Sequence, residues 1–159
     1  MELLIEKESS LYELERGKPM PDTIHGAIQS NISFEVKTLY RDTYRCLSET
    51  SLATQPDSTT PDVVIYPAFA LDYEHRTAKR SDAPLICIEI QSPSQSIEEM
   101  VGKTQIYFDF GVQSCWIIVP AVKGIFVYGS LGKYEFYHGD DLLTDPNIEI
   151  RLSLPALFE

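Results

Sequence analysis

The chain has 159 residues, 43% of them hydrophobic and 11% aromatic, which suffices to bury a core and predicts one domain spanning 1–159. Its formal net charge of -11 argues against a uniformly basic nucleic-acid-binding surface, so a phosphate-binding role requires segregated charge or a bound divalent cation. Three scattered cysteines (Cys46, Cys87, Cys115) exclude a disulfide framework or zinc knuckle, and the lack of a span-length apolar run or a basic-then-apolar leader predicts a cytoplasmic protein with no membrane partner.

In chain order, residues 1–10 are polar and unpatterned and predict either a loose start or a short helix. Residues 11–18 alternate and stop at Gly17, which predicts a short strand and turn. Pro19 and Pro21 break the chain, and Asp22 is placed to cap a helix. From Thr23 to about Arg41 the pattern is helical, with Ile24, Ile28, Ile32, Val36 and Leu39 forming one apolar stripe. His25 and Glu35 fall on or beside that stripe. Tyr44 to Ala53 predicts a strand, and 55–60 a loop. Asp62 to Pro67 is rich in β-branched residues and predicts a strong strand. The long connection from Ala68 to Ala83 carries His75, Arg76, Lys79 and Arg80. A solvated loop is its commonest explanation; the sharper one is contact of Arg76, Lys79 and Arg80 with a DNA backbone.

Leu85 to Gln91 is continuously apolar except for Glu89 and predicts a central strand buried on both faces. Ser94 or Ser96 can cap the helix that follows, from about Ser96 to Phe110, with Gly111 as its stop. Ile97, Met100, Val101, Thr104, Tyr107 and Phe108 share one face of it, and Lys103 lies at the edge of that face. Val112 to Pro120 predicts another strong strand. Segments 124–128, 133–137 and 148–152 alternate between turn signals and predict an antiparallel meander. Phe126, Tyr128, Phe136 and Tyr137 serve either an interface or the core. Leu157 and Phe158 are expected to pack down in a terminal turn.

The chemistry centres on two acids. A carboxylate inside an apolar strand, as at Glu89, must be neutralised, paired or bound to a metal. If the strands of Asp62 and Glu89 pair antiparallel, the start of one lies beside the end of the other, and both acids meet at one sheet edge. Two carboxylates and a backbone carbonyl, such as that of Ile90, make a hard, open magnesium site. A nearby lysine can orient water or neutralise developing charge. The ordinary alternative is a turn-capping Asp62 and a structural Glu89–Lys103 ion pair.

The order Pro61-Asp62, strand, loop, Glu89-Ile90-Gln91 resembles the PD-(D/E)xK nuclease superfamily, and within it the Uma-two family of restriction endonucleases. The likeness runs through Tyr12 to Lys18, Pro21 to His25, Thr60 to Val63, Ile88 to Ser94, Lys103 with Tyr107, and Gly111 to Pro120. It implies an α/β, restriction-endonuclease-like fold: a mixed central sheet flanked by helices, with the C-terminal meander. It also implies metal-assisted hydrolysis of DNA phosphodiesters, with Mg²⁺ or Mn²⁺ held by Asp62, Glu89 and the Ile90 carbonyl, in a homodimer. The superfamily's lysine position is Gln91 here. The resemblance therefore implies a migrated lysine, Lys103, with Gln91 as an alternative that orients water. Glu13 from the opening motif, with His25 and Glu35 from the helix, are auxiliary candidates. The rival expectation is a catalytically silent nucleic-acid-binding module or a protein-interaction domain of the same fold.

Overall fold

In this computed structural model residues 10–159 are described. Three apolar segments form the centre of a six-stranded sheet: β2 (Val63–Pro67), β3 (Ile86–Ile90) and β4 (Ser114–Val119). Every residue of β3 and β4 is buried, as continuous apolarity requires of a strand covered on both faces. With β1 (Tyr44–Ser48), β5 (Gly124–Ser130) and β6 (Lys133–Tyr137) the spatial order is β1-β2-β3-β4-β5-β6. Neighbours are antiparallel except β3 and β4, which run parallel and are joined by the crossover helix α3 (Ile97–Phe110).

Strand alternation divides the core in two. Val63, Ile65, Ile86, Ile88, Ile90, Trp116 and Ile118 pack with helix α2 (Thr23–Tyr40) and the C-terminal segment. Val64, Tyr66, Cys87, Cys115 and Ile117 pack with Met100 and Tyr107 of α3. Asp22 caps α2, accepting from the His25 N–H, and Ser96 caps α3. Gly111 ends α3 at φ 110°, where a side chain would be strained. Within the α2 stripe Ile28, Ile32 and Val36 are buried, whereas Ile24 and Leu39 lie exposed beyond the sheet's reach. Leu154 and Leu157, in the short helix α4 (Leu154–Leu157), are fully buried, and Phe158 packs partly against them. No helix among the described residues is long and apolar enough to cross a membrane.

Three expectations are corrected. Residues 11–18 are not a strand: Leu11–Arg16 form helix α1, whose entry is fixed by a capping box between Ser10 and Glu13 and whose end is Gly17 in the left-handed conformation. Local capping outweighs the short alternation. The strand from Tyr44 stops at Ser48, because Glu49 turns the chain at φ 55°. The meander ends at β6: β7 (Leu142–Thr144) and β8 (Arg151–Ser153) pair with each other in a separate two-stranded ribbon. The expectation for the first nine residues lies outside the described residues.

Asp145 explains why that ribbon leaves the sheet. Its buried carboxylate accepts from Ser114 Oγ (2.9 Å) and Trp116 Nε1 (2.8 Å) on β4, and from the N–H groups of Asn147 and Ile148 (2.9 Å each). One side chain thus ties the turn before β8 to the centre of the sheet. Removing it leaves the Trp116 and Ser114 donors buried without partners. Asp145→Ala should therefore lower the unfolding free energy by about 3 kcal/mol in denaturant titrations followed by Trp116 fluorescence, and Asp145→Asn by about half of that.

Candidate active site

The antiparallel register of β2 on β3 pairs Val63 with Ile88, and its continuation sets Asp62 across from Glu89. Both acids are almost wholly buried, 1% and 3% exposed. Asp62 is bound to the neighbouring strand: its Oδ2 accepts from the Ile90 N–H at 2.7 Å. By alternation Glu89 projects with Cys87 toward α3, where Tyr107 Oη donates to its Oε1. One helical turn earlier Lys103 Nζ stands 3.6 Å from Glu89 Oε2, an ion pair longer than a hydrogen bond. Lys103 keeps 24% of its side chain exposed, so the pair reaches solvent on the lysine side.

A second group of residues surrounds the other oxygen of Asp62. Oδ1 accepts from Lys18 Nζ at 2.5 Å and lies 3.0 Å from His25 Nε2. Lys18 also donates to the Thr60 carbonyl at 2.6 Å and lies 3.6 Å from Glu49 Oε2. Gln29 Nε2 bridges the Asp62 carbonyl (2.7 Å) and Glu49 Oε1 (3.3 Å). His25, Glu49 and Asp62 each present a ligand atom within 4.8 Å of the others. The Asp22 cap at the start of α2 fixes His25 from below, one turn into the helix.

These surroundings drive the two acids apart. Burial alone would raise the Asp62 carboxyl, but the His25 hydrogen bond and the Lys18 charge pull it well below the usual carboxylate range. Glu89 moves the other way, raised by burial and then by the negative charge of Asp62, which Lys103 and Lys18 only partly offset. The donors present suit a hard divalent cation: Asp62 is shared between the facing carboxylate of Glu89 and the cluster of His25 and Glu49, whose ligand atoms lie within 4.8 Å of one another and which does not include Glu89. Ile90 is already part of this arrangement through its N–H, and its position makes its carbonyl the backbone candidate for a further ligand.

Of the residues singled out from sequence, Asp62, Glu89, Lys103, Ile90 and His25 come together. Gln91 lies immediately beyond, with its amide nitrogen donating to the Gln95 carbonyl at 2.8 Å rather than to either acid. It also lines a cleft of about 500 Å³ with Ile24, Ser92 and Phe158. Glu13 closes the capping box of α1, its Oε2 accepting from Ser10 N–H at 2.7 Å. Glu35 is half-buried three turns along α2 from His25, and neither glutamate belongs to the ligand cluster among the described residues. Arg76 and Lys79 are exposed in the long connection. Arg80 pairs with Asp82 (2.7 Å) and stacks on Tyr66 and Phe69, at the far end of β2 from Asp62. Lys18, Gln29 and Glu49 were not foreseen. Lys18 follows Gly17 directly, and the spacing of Gln29 four residues after His25 was the one available signal for a shared helix face.

No curated protein matches the chain. Among solved structures it resembles one described as "a putative nuclease belonging to DUF820" from Anabaena variabilis ATCC 29413, with a TM-score of 0.75 and 26% identity, covering 88% of this chain and 83% of that one. The family described as "Putative restriction endonuclease" (Uma2) matches residues 4–156. With nearly the whole chain matched and the sheet shared with a nuclease-like structure, the protein is a member of the Uma2 family.

Proposed function

We propose that this protein is a divalent-cation-dependent endonuclease that hydrolyses DNA phosphodiesters, with Asp62 and Glu89 as the acids that hold Mg²⁺ or Mn²⁺ and the Ile90 carbonyl completing the set. The observation that carries this reading is the facing pair itself: two buried carboxylates on neighbouring strands, one of them under-compensated, with an ammonium at the solvent side. Bound there, the ion supplies Lewis-acid polarisation of a phosphoryl oxygen. The chain's own groups do the rest. Tyr107 fixes Glu89 Oε1 and so turns Oε2 toward Lys103. Lys103 Nζ donates to the attacking water or to the phosphoryl oxygen that gains charge. Burial of both acids restricts approach to the side of Lys103 and Gln91, whose amide can orient water once it leaves Gln95. Arg76 and Lys79 supply backbone contacts to flanking phosphates. The exposed aromatic face of Tyr134 and Phe136 on β6 supports a homodimer, which can cut both strands in the cytoplasm.

The net charge of -11 favours a second reading, a silent binding or protein-interaction domain. Cleavage assays with single- and double-stranded DNA, in Mg²⁺ and in Mn²⁺, separate the two. The enzyme reading expects cleavage that EDTA abolishes. Glu89→Gln should reduce it by roughly a thousandfold and Lys103→Met by roughly a hundredfold, with DNA affinity retained. Failure to cut any of these substrates with either ion would decide for the binding domain.

The ionisation of Glu89 gives an independent measurement. A carboxyl whose pKa is raised in the folded state favours folding at low pH and loses that contribution as pH rises through its folded value. Glu89→Gln lacks this loss, and its amide oxygen still accepts from Tyr107. In EDTA its melting temperature should exceed that of the wild type by a few degrees at about pH 8 and converge with it near about pH 5. An equal offset at both pH values would mean that Glu89 is fully compensated without a metal.

A further inference from the structure

We propose that Lys18 is a resident cation of the acidic site, seated among Asp62, Glu49 and the Thr60 carbonyl, and that a divalent cation loads as this ammonium withdraws. The inference rests on the metal reading above and assigns a role to Lys18, which closes the opening motif but is not among the candidate site residues read from the sequence. His25, Glu49 and Asp62 form a metal-competent cluster, and a cation already stands in it. The Lys18 ammonium contacts three oxygens: Asp62 Oδ1 at 2.5 Å, Thr60 O at 2.6 Å and Glu49 Oε2 at 3.6 Å. Its side chain is 8% exposed, unusual for a lysine, and these oxygens offset the burial of its charge.

Two positive charges compete for Asp62. Oδ1 accepts from Lys18 and faces His25, so it is fully used, and Oδ2 is shared with the Ile90 N–H. An ion taking up Asp62 therefore meets a buried like charge on the same carboxylate and must either bind weakly or displace it. Displacement is structurally simple. Lys18 follows the left-handed Gly17 at the end of α1, and the apolar side chains of Leu11 and Leu14 in that short helix are 78% and 67% exposed, so neither anchors it in the core. Lys18 joins the arm to the sheet end through Asp62 and Thr60. Metal occupancy is thereby coupled to the position of α1: the arm is held in when the site lacks a divalent ion and released when the ion enters.

The test uses Mn²⁺ binding to the full chain, followed by electron paramagnetic resonance, and the reactivity of lysine amines toward an acetylating reagent, read by mass spectrometry. Lys18→Met should tighten Mn²⁺ binding by about tenfold or more, whereas Lys18→Arg should not. In wild-type protein Lys18 should be protected in EDTA and become reactive at saturating Mn²⁺, with exposed Lys133 reacting equally in both. The wild-type footprint does not depend on a variant folding. If Mn²⁺ binds in a manner lost in Glu89→Gln, yet Lys18 stays protected or Lys18→Met binds no tighter, the gate is overturned and the metal site stands. If neither wild type nor Lys18→Met binds Mn²⁺, the metal reading falls and the gate with it.

Discussion

Two carboxylates share the end of an antiparallel strand pair inside the protein, and neither can leave. Asp62 is bound to the neighbouring strand by the Ile90 N–H, and Glu89 is held by Tyr107. Like charges in such surroundings repel strongly, and desolvation raises the cost of each. The arrangement is sustained by two ammonium groups, Lys18 from the segment before α2 and Lys103 from α3, and by the His25 ring set against Asp62 from α2 itself. The rest of the fold reads as the means of delivering those groups to one sheet edge.

The delivery follows the two-sided core. Helix α2 packs on one face through Ile28, Ile32 and Val36, and that packing sets the height at which His25 and Gln29 meet Asp62. Helix α3 packs on the other through Met100 and Tyr107, and the same Tyr107 that fills the core reaches Glu89. One residue therefore serves packing and site geometry at once. Elsewhere stability is maintained away from the site, most clearly at Asp145, where a single buried acid satisfies four donors and joins the C-terminal ribbon to β4.

Much of this was legible in the sequence, and the limits have physical causes. The central strands, α2 and α3 announce themselves because long apolar runs and a 3.6-residue stripe are hard to produce otherwise. The convergence of Asp62 and Glu89 follows from antiparallel geometry alone, since strand ends meet strand starts. The segment before α2 misled because six alternating residues fit a strand and a helix equally, and Glu13 three residues after Ser10 was the capping signal that decided it. Lys18 and Glu49 were invisible for another reason. Glu49 turns inward only because its backbone adopts φ 55°, and Lys18 only because that turn and Thr60 present oxygens to it. Those positions are set by tertiary contacts that no local pattern records. The expected third strand of the meander failed likewise: alternation at Ile148–Leu152 was real, but the Asp145 turn pairs β8 with β7 instead of with the sheet.

The crossover between β3 and β4 carries a last consequence. Glu89 stands on the strand, while Lys103 and Tyr107 stand on the helix that follows it, separated by the Ser92–Ser96 turn. Each residue added to or taken from that turn changes the helix's rotational phase by about 100° unless the cap at Ser96 absorbs it. Both side chains would swing off the acid together, and the strand would remain intact. Pro93 and the hydrogen bond that the Ser92 N–H donates to Gln95 Oε1 thus act as a phase lock between the two halves of the site, although neither touches an acid.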